Sequence, residues 1–104
     1  MLNISKYERK NIDMKRSMRI TVSGSIQPVF FNRFIKENAD KLGIKGFVRN
    51  AGDGKAEVFI EGNPDAVTAM IPICKKGPQH ALIRNIEEKE EKYQGFTEFK
   101  IMNF

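Results

Sequence analysis

Hydrophobic and polar residues alternate with period two over Arg19-Ile20-Thr21-Val22-Ser23. That run is rich in β-branched residues and predicts a strand, which Gly24 ends. The period then changes. Phe31, Phe34, Ile35, Asn38, Ala39 and Leu42 fall on one face of a helix, with Asn38 its one polar member. Lys36, Glu37, Asp40 and Lys41 take the other face, and Gly43 stands where a helix C-terminus wants a glycine. Gly46–Asn50 reads as a second strand and Lys55–Glu61 as its return, joined through the Asp53-Gly54 step that favours a tight hairpin. Lys55, Glu57 and Glu61 share one face of the return strand, and Phe59 is the apolar exception on it.

Asn63-Pro64-Asp65 predicts a second helix start: a capping side chain, a proline at the first helical position and an acid at the positive end of the dipole. Val67, Met70, Ile71 and Cys74 then form a single apolar stripe. Pro72 lies inside it and predicts a kink or an end near Ile71. Residues 80–86 read as a strand, Glu87–Lys92 as a solvated turn or edge, and Phe96–Ile101 as a last extended piece. The order is β-α-β-β-α-β with a terminal extension. Two helices with one apolar stripe each must cover the same face of a sheet. The expected class is α+β, a ferredoxin-like βαββαβ sandwich with an antiparallel sheet, two helices on one face and a short C-terminal strand.

The chain has 104 residues, enough for one core and little more. One cysteine and one histidine leave no internal disulfide, no Cys-based zinc site and no His-pair metal site. No metal or other cofactor is expected. Apolar runs fall far short of the ~18 residues a membrane span needs. The N-terminus lacks an apolar leader core, so the expected location is the cytoplasm. Cys74 on the apolar stripe reads as a small buried hydrophobe, and His80 as an exposed residue at a strand start.

The net charge of +5 suggests an acidic partner until it is divided along the chain. Residues 1–19 hold six basic and two acidic residues, so +4 of it sits there. The remainder is nearly neutral and offers little affinity for a phosphate backbone. Residues 1–18 are therefore expected to be a flexible basic extension, and residues 19–104 the folded domain. The aromatic signature of RNA-recognition motifs, which share this sandwich, places aromatics on the first and third strands. Arg19–Ser23 carries none, so nucleic acid is not an expected partner. A monomer is expected.

The junction Gly24-Ser25-Ile26-Gln27-Pro28-Val29-Phe30-Phe31-Asn32 leads from strand to helix, where free backbone N–H groups and the helix dipole favour an anion. Gly24, Ile26, Gln27, Val29 and Phe31, followed by Gly46-Phe47-Val48-Arg49-Asn50 and the Asp53-Gly54 hairpin, resemble the ordered signature of the acylphosphatase family. The resemblance spans roughly residues 19–102. It implies cofactor-independent hydrolysis of acyl phosphates to carboxylate and phosphate. It also implies a phosphate-binding loop over Ser25, Ile26, Gln27, Val29, Phe30, Phe31 and Asn32, with Asn50 positioning the attacking water. A small acyl phosphate, or inorganic phosphate or sulfate, would occupy that loop.

The chain departs from the signature at two loop positions. Asn32 stands at the family's arginine, and Pro28 at a family glycine. Asparagine is neutral and cannot form a forked charged pair with phosphate. Pro28 has no N–H and cannot take a positive φ. Losing a phosphate-clamping arginine costs about 10³–10⁵ in rate, so weak or absent activity is expected. The alternative is a non-catalytic module that binds an anion at residues 24–32 or a macromolecule through the basic arm. Arg33 follows Asn32 directly. If Asn32 opens the helix, Arg33 points about 100° away around its axis, and a slip of one residue at Pro28 would bring it back. Otherwise it faces solvent or pairs with Glu37 one turn on.

Overall fold

The structure is a computed structural model and describes residues 14–103. Seven elements follow in order: β1 (Arg16–Ser25), α1 (Pro28–Lys41), β2 (Lys45–Gly52), β3 (Lys55–Gly62), α2 (Pro64–Lys76), β4 (Leu82–Glu91) and β5 (Phe99–Met102). The sheet order is β4-β1-β3-β2-β5. β1 pairs antiparallel with β3 and β4, and β2 antiparallel with β3. These four strands form the expected antiparallel sheet, and the short C-terminal strand β5 joins β2 in parallel, so the five-stranded sheet is mixed. The ferredoxin-like sandwich itself is as anticipated. Of the proposed extension, residues 1–13 lie outside the described residues. β1 starts at Arg16, three residues before the alternation suggested, because Met18 also points into the core.

Alternate residues of the central strands make the floor of that core: Met18, Ile20 and Val22 of β1, and Ala56, Val58 and Ile60 of β3. Phe31, Ile35 and Ala39 of α1 and Val67, Met70 and Cys74 of α2 close it from above. Burial pushes the Cys74 thiol up to about 12, so it stays protonated and inert. Asn38, the polar member of the α1 stripe, satisfies itself by donating Nδ2 to the Phe34 carbonyl at 2.8 Å.

α1 ends in a Schellman turn. Ile44 N–H donates to the Ala39 carbonyl at 2.8 Å and Gly43 N–H to that of Asp40 at 3.2 Å, with Gly43 at φ 70°. Asn63 caps α2 by accepting the Asp65 N–H at 2.8 Å. The helix does not end near Ile71, and α2 runs on to Lys76 with Pro72 inside it. Pro72 and Thr68, whose carbonyl loses its helical partner, both lie on the exposed side, where water can serve instead. β4 likewise continues through Glu91, where a solvated turn was one alternative, because its charged residues belong to an edge strand.

The helix-free face is also covered. β4 and β5 are opposite edges, so the segment between them must cross that face. Phe96 on it packs against Phe47 and Phe59, with ring centroids 5.7 and 5.6 Å away. This explains why Phe59 breaks the polar pattern of β3. Arg19 lies over the Phe59 ring at 5.3 Å. Beside the cluster, Glu61 is fully buried and accepts from Ser17 Oγ at 2.9 Å, Gln94 N–H at 2.9 Å and Phe96 N–H at 2.7 Å.

Candidate active site

Two strand irregularities converge near the β1–α1 junction. The β1–β4 register shifts between Ser23 and Gly24, and the β2–β3 register between Asn50 and Gly52. Bulges of this kind re-aim the chain at the end of a strand. Gly24 is gripped on both sides: its N–H donates to the Gly54 carbonyl at 2.9 Å, and a Cβ there would meet the Leu82 carbonyl oxygen at 2.0 Å. No other residue allows that approach.

The helix then begins earlier than the apolar stripe suggested. Pro28 is the first helical residue and Gln27 the N-cap, in extended conformation with no side-chain cap. Proline suits that place, since its fixed φ is helical and its missing N–H would have had no partner. Asn32 therefore lies one turn inside α1 and does not open it. The first helical bond runs from Phe31 N–H to the Gln27 carbonyl at 2.9 Å. The N–H groups of Val29 and Phe30 precede that bond and point out of the helix end.

A cleft of about 630 Å³ opens beside this turn. α1 contributes Pro28, Val29, Asn32 and Arg33, and the end of β2 contributes Asn50 and Gly52. Ile101, Met102 and Asn103 form the far wall. Asn32, Arg33 and Asn50 are thus brought together. Asn32 is only 7% exposed, and its Oδ1 has no hydrogen-bond partner among the described residues. Asn50 accepts the Gly52 N–H at 3.1 Å through Oδ1, which orients its amide and leaves Nδ2 available as a donor. Among the described residues Arg33 is the one charged side chain on the cleft wall. It is exposed and makes no ion pair among the described residues; the pairing with Glu37 does not form, and the i,i+4 bridge on this helix is Lys36–Asp40 instead.

The remaining loop candidates are distributed elsewhere. Phe31 is fully buried in the core, and Ile26 packs against its edge. Ser25 pairs with Leu82 of β4. Gln27 and Phe30 line a separate groove on the opposite flank of α1. His80 is exposed, as expected, but sits in the turn before β4 at φ 73°. The β5 wall had no counterpart in the sequence reading, because no pattern in Phe96–Ile101 announces parallel pairing with β2. Among the described residues no cluster of three or more His, Cys, Asp or Glu could hold a metal ion. No helix among them is long and apolar enough to cross a membrane.

The acylphosphatase family model matches residues 18–101, nearly all of the described chain. This protein belongs to the acylphosphatase family. The acylphosphatase of Rubrobacter xylanophilus is 40% identical over 80 residues, covering 77% of this chain and 73% of its own. That of Pyrobaculum aerophilum is 40% identical over 93 residues, covering 88% and 97%. Among solved structures, the Bacillus subtilis acylphosphatase superposes with TM-score 0.79 at 31% identity, over 86% of this chain and 99% of that one. The Coxiella burnetii acylphosphatase gives 0.81 at 26% identity, over 90% and 96%. Acylphosphatase-like function follows from this membership. Arg33 brings one guanidinium to the cleft wall, and Asn50 brings one oriented amide.

Proposed function

We propose that this acylphosphatase-family chain binds acyl phosphates at the first turn of α1 and hydrolyses them slowly. The observation that carries the reading is the meeting of Asn32, Arg33 and Asn50 in one cleft beside the free N–H groups of Val29 and Phe30. The phosphate oxygens accept from those N–H groups, with the helix dipole behind them. Asn50 holds the attacking water through its amide. Water attacks phosphorus, the bond from phosphorus to the acyl oxygen breaks, and the carboxylate leaves with that electron pair. A carboxylate is a good leaving group, so placement and charge stabilisation are what the protein must supply.

Asn32 is where the supply falls short. It puts a neutral amide, with an unpartnered acceptor oxygen, where the family signature has a guanidinium. Arg33 returns a positive charge to the cleft from its solvent-exposed rim. An exposed charge is screened by water, so Arg33 serves phosphate capture more than transition-state stabilisation.

The test is hydrolysis of benzoyl phosphate by wild type, Asn32→Arg, Asn32→Arg/Pro28→Gly and Arg33→Ala. Asn32→Arg is expected to raise kcat by at least about 10²-fold. Arg33→Ala is expected to raise KM with a smaller change in kcat. Wild-type turnover that Asn32→Arg does not improve would refute the impairment. Phosphate binding by all four proteins with turnover by none would reassign the chain as an anion-binding module.

A further inference from the structure

We propose that the groove on the opposite flank of α1 seats the acyl group, making aryl and other bulky apolar acyl phosphates the substrate class. The inference rests on the phosphate reading and extends it. Val29 and Phe30 supply adjacent N–H groups at the helix end, yet their side chains diverge by about 100° around the axis. Val29 lines the cleft that holds Asn32 and Asn50, and Phe30 lines the groove. An anion on those two N–H groups therefore has a cavity on either side. Arg33 lines both, so its side chain stands between the two.

The groove has the chemistry of an apolar site with a polar rim. It encloses about 470 Å³ between Phe30 and Phe34 of α1 and Pro78 and Ala81 of the turn before β4. Gln27, Arg33, Glu37, Gln79 and His80 supply its polar lining. Phe30 is 60% exposed and the nearby Leu82 55% exposed, so large apolar surface is left in water beside the anion site. The far wall is held in place. Gly77 N–H donates to the Ile73 carbonyl at 3.0 Å, and Ala81 N–H to that of Pro78 at 3.1 Å. An aryl ring between Phe30 and Ala81 would remove this surface from water while the phosphate stays on the helix end.

Two stable mimics separate the contributions: acetonylphosphonate and phenacylphosphonate, in which a methylene replaces the bridging oxygen. They are titrated into the full chain by calorimetry and by amide chemical shifts. Phenacylphosphonate is expected to bind about tenfold tighter or better, and it alone shifts the amides of residues 77–81. Ala81→Trp fills the groove and should remove that advantage while leaving acetonylphosphonate affinity unchanged. Should this variant fail to fold, the wild-type shift map decides. Equal affinities, or aryl-specific shifts at residues 101–103 in place of 77–81, overturn the acyl site and leave the phosphate reading intact. No binding of either phosphonate or of inorganic phosphate removes the phosphate reading, and the acyl site with it.

Discussion

Asn50 and Glu61 show how differently two polar residues of neighbouring strands disclose themselves. Asn50 sits in an ordered motif, so its place at the end of β2 is legible in the sequence. What the motif does not say is that Oδ1 closes the turn to Gly52, so the amide proposed to hold water is also a turn residue. Asn50→Ala is expected to lower kcat by about 10²-fold with KM little changed. It should cost about 1 kcal/mol in chemical denaturation; a normal kcat would leave the residue only its turn. Glu61 lies on the polar side of β3 and reads as solvated. Its burial is imposed by a segment some thirty positions further on, which no local pattern reveals. It accepts three hydrogen bonds, two of them from backbone N–H groups of the crossing segment. Glu61→Ala leaves these donors unpaired and is expected to destabilise by at least about 3 kcal/mol. Glu61→Gln should also be costly, because its NH₂ meets donors where the carboxylate met them with lone pairs. A loss under about 1 kcal/mol for Glu61→Ala would mean that residues 94–96 are not held by this carboxylate.

At the scale of elements, the apolar stripes revealed both helices but misjudged where they begin and end. α1 starts before its first buried residue because Pro28 has a helical φ whether or not its neighbours touch the core. α2 outlasts Pro72 because the proline falls on the solvent side, where water can serve the carbonyl left without its helical partner. Periodicity reports which face is buried; the ends depend on caps and on solvent, which it does not register. The C-terminus of α1 is the exception, since Gly43 marks it plainly. A Cβ at Gly43 would meet nothing within 4 Å, so substitution there tests backbone conformation alone. Gly43→Ala must hold φ near 70° and is expected to cost about 1–2 kcal/mol by thermal or urea unfolding. Gly43→Asn should cost less, because asparagine tolerates that region. Equal stability of all three would mean that the Schellman turn gives way without penalty.

For the molecule as a whole, the βαββαβ order carried the architecture, while the edges of the sheet stayed hidden. The parallel seat of β5 and the length of β4 both depend on contacts distant in sequence. β4 shows only scattered apolar residues, and its lower half adds ion pairs to its backbone ladder with β1. Arg19 Nε donates to Glu91 at 2.7 Å, and Arg16 Nε donates to Glu90 at 3.1 Å. These hydrogen bonds hold the Glu90 and Glu91 carboxyls below their ordinary value of 4.5 and raise the pKa of both arginines. For a carboxyl lowered in the folded state, the stabilisation is complete above the unfolded value and disappears as pH falls through the folded one. The raised arginine values lie outside any working pH and add no slope. Unfolding free energy should therefore be insensitive to these pairs from neutral pH down to about 5 and decline as the solution is acidified below it. Arg16→Gln/Arg19→Gln should flatten that acid decline, and 1 M salt should flatten it partly in the wild type, since Glu90 is exposed and screened. Urea unfolding at a series of pH values measures both slopes. An acid slope identical in wild type and double variant would show that β4 is held by its backbone ladder with β1 and not by its glutamates.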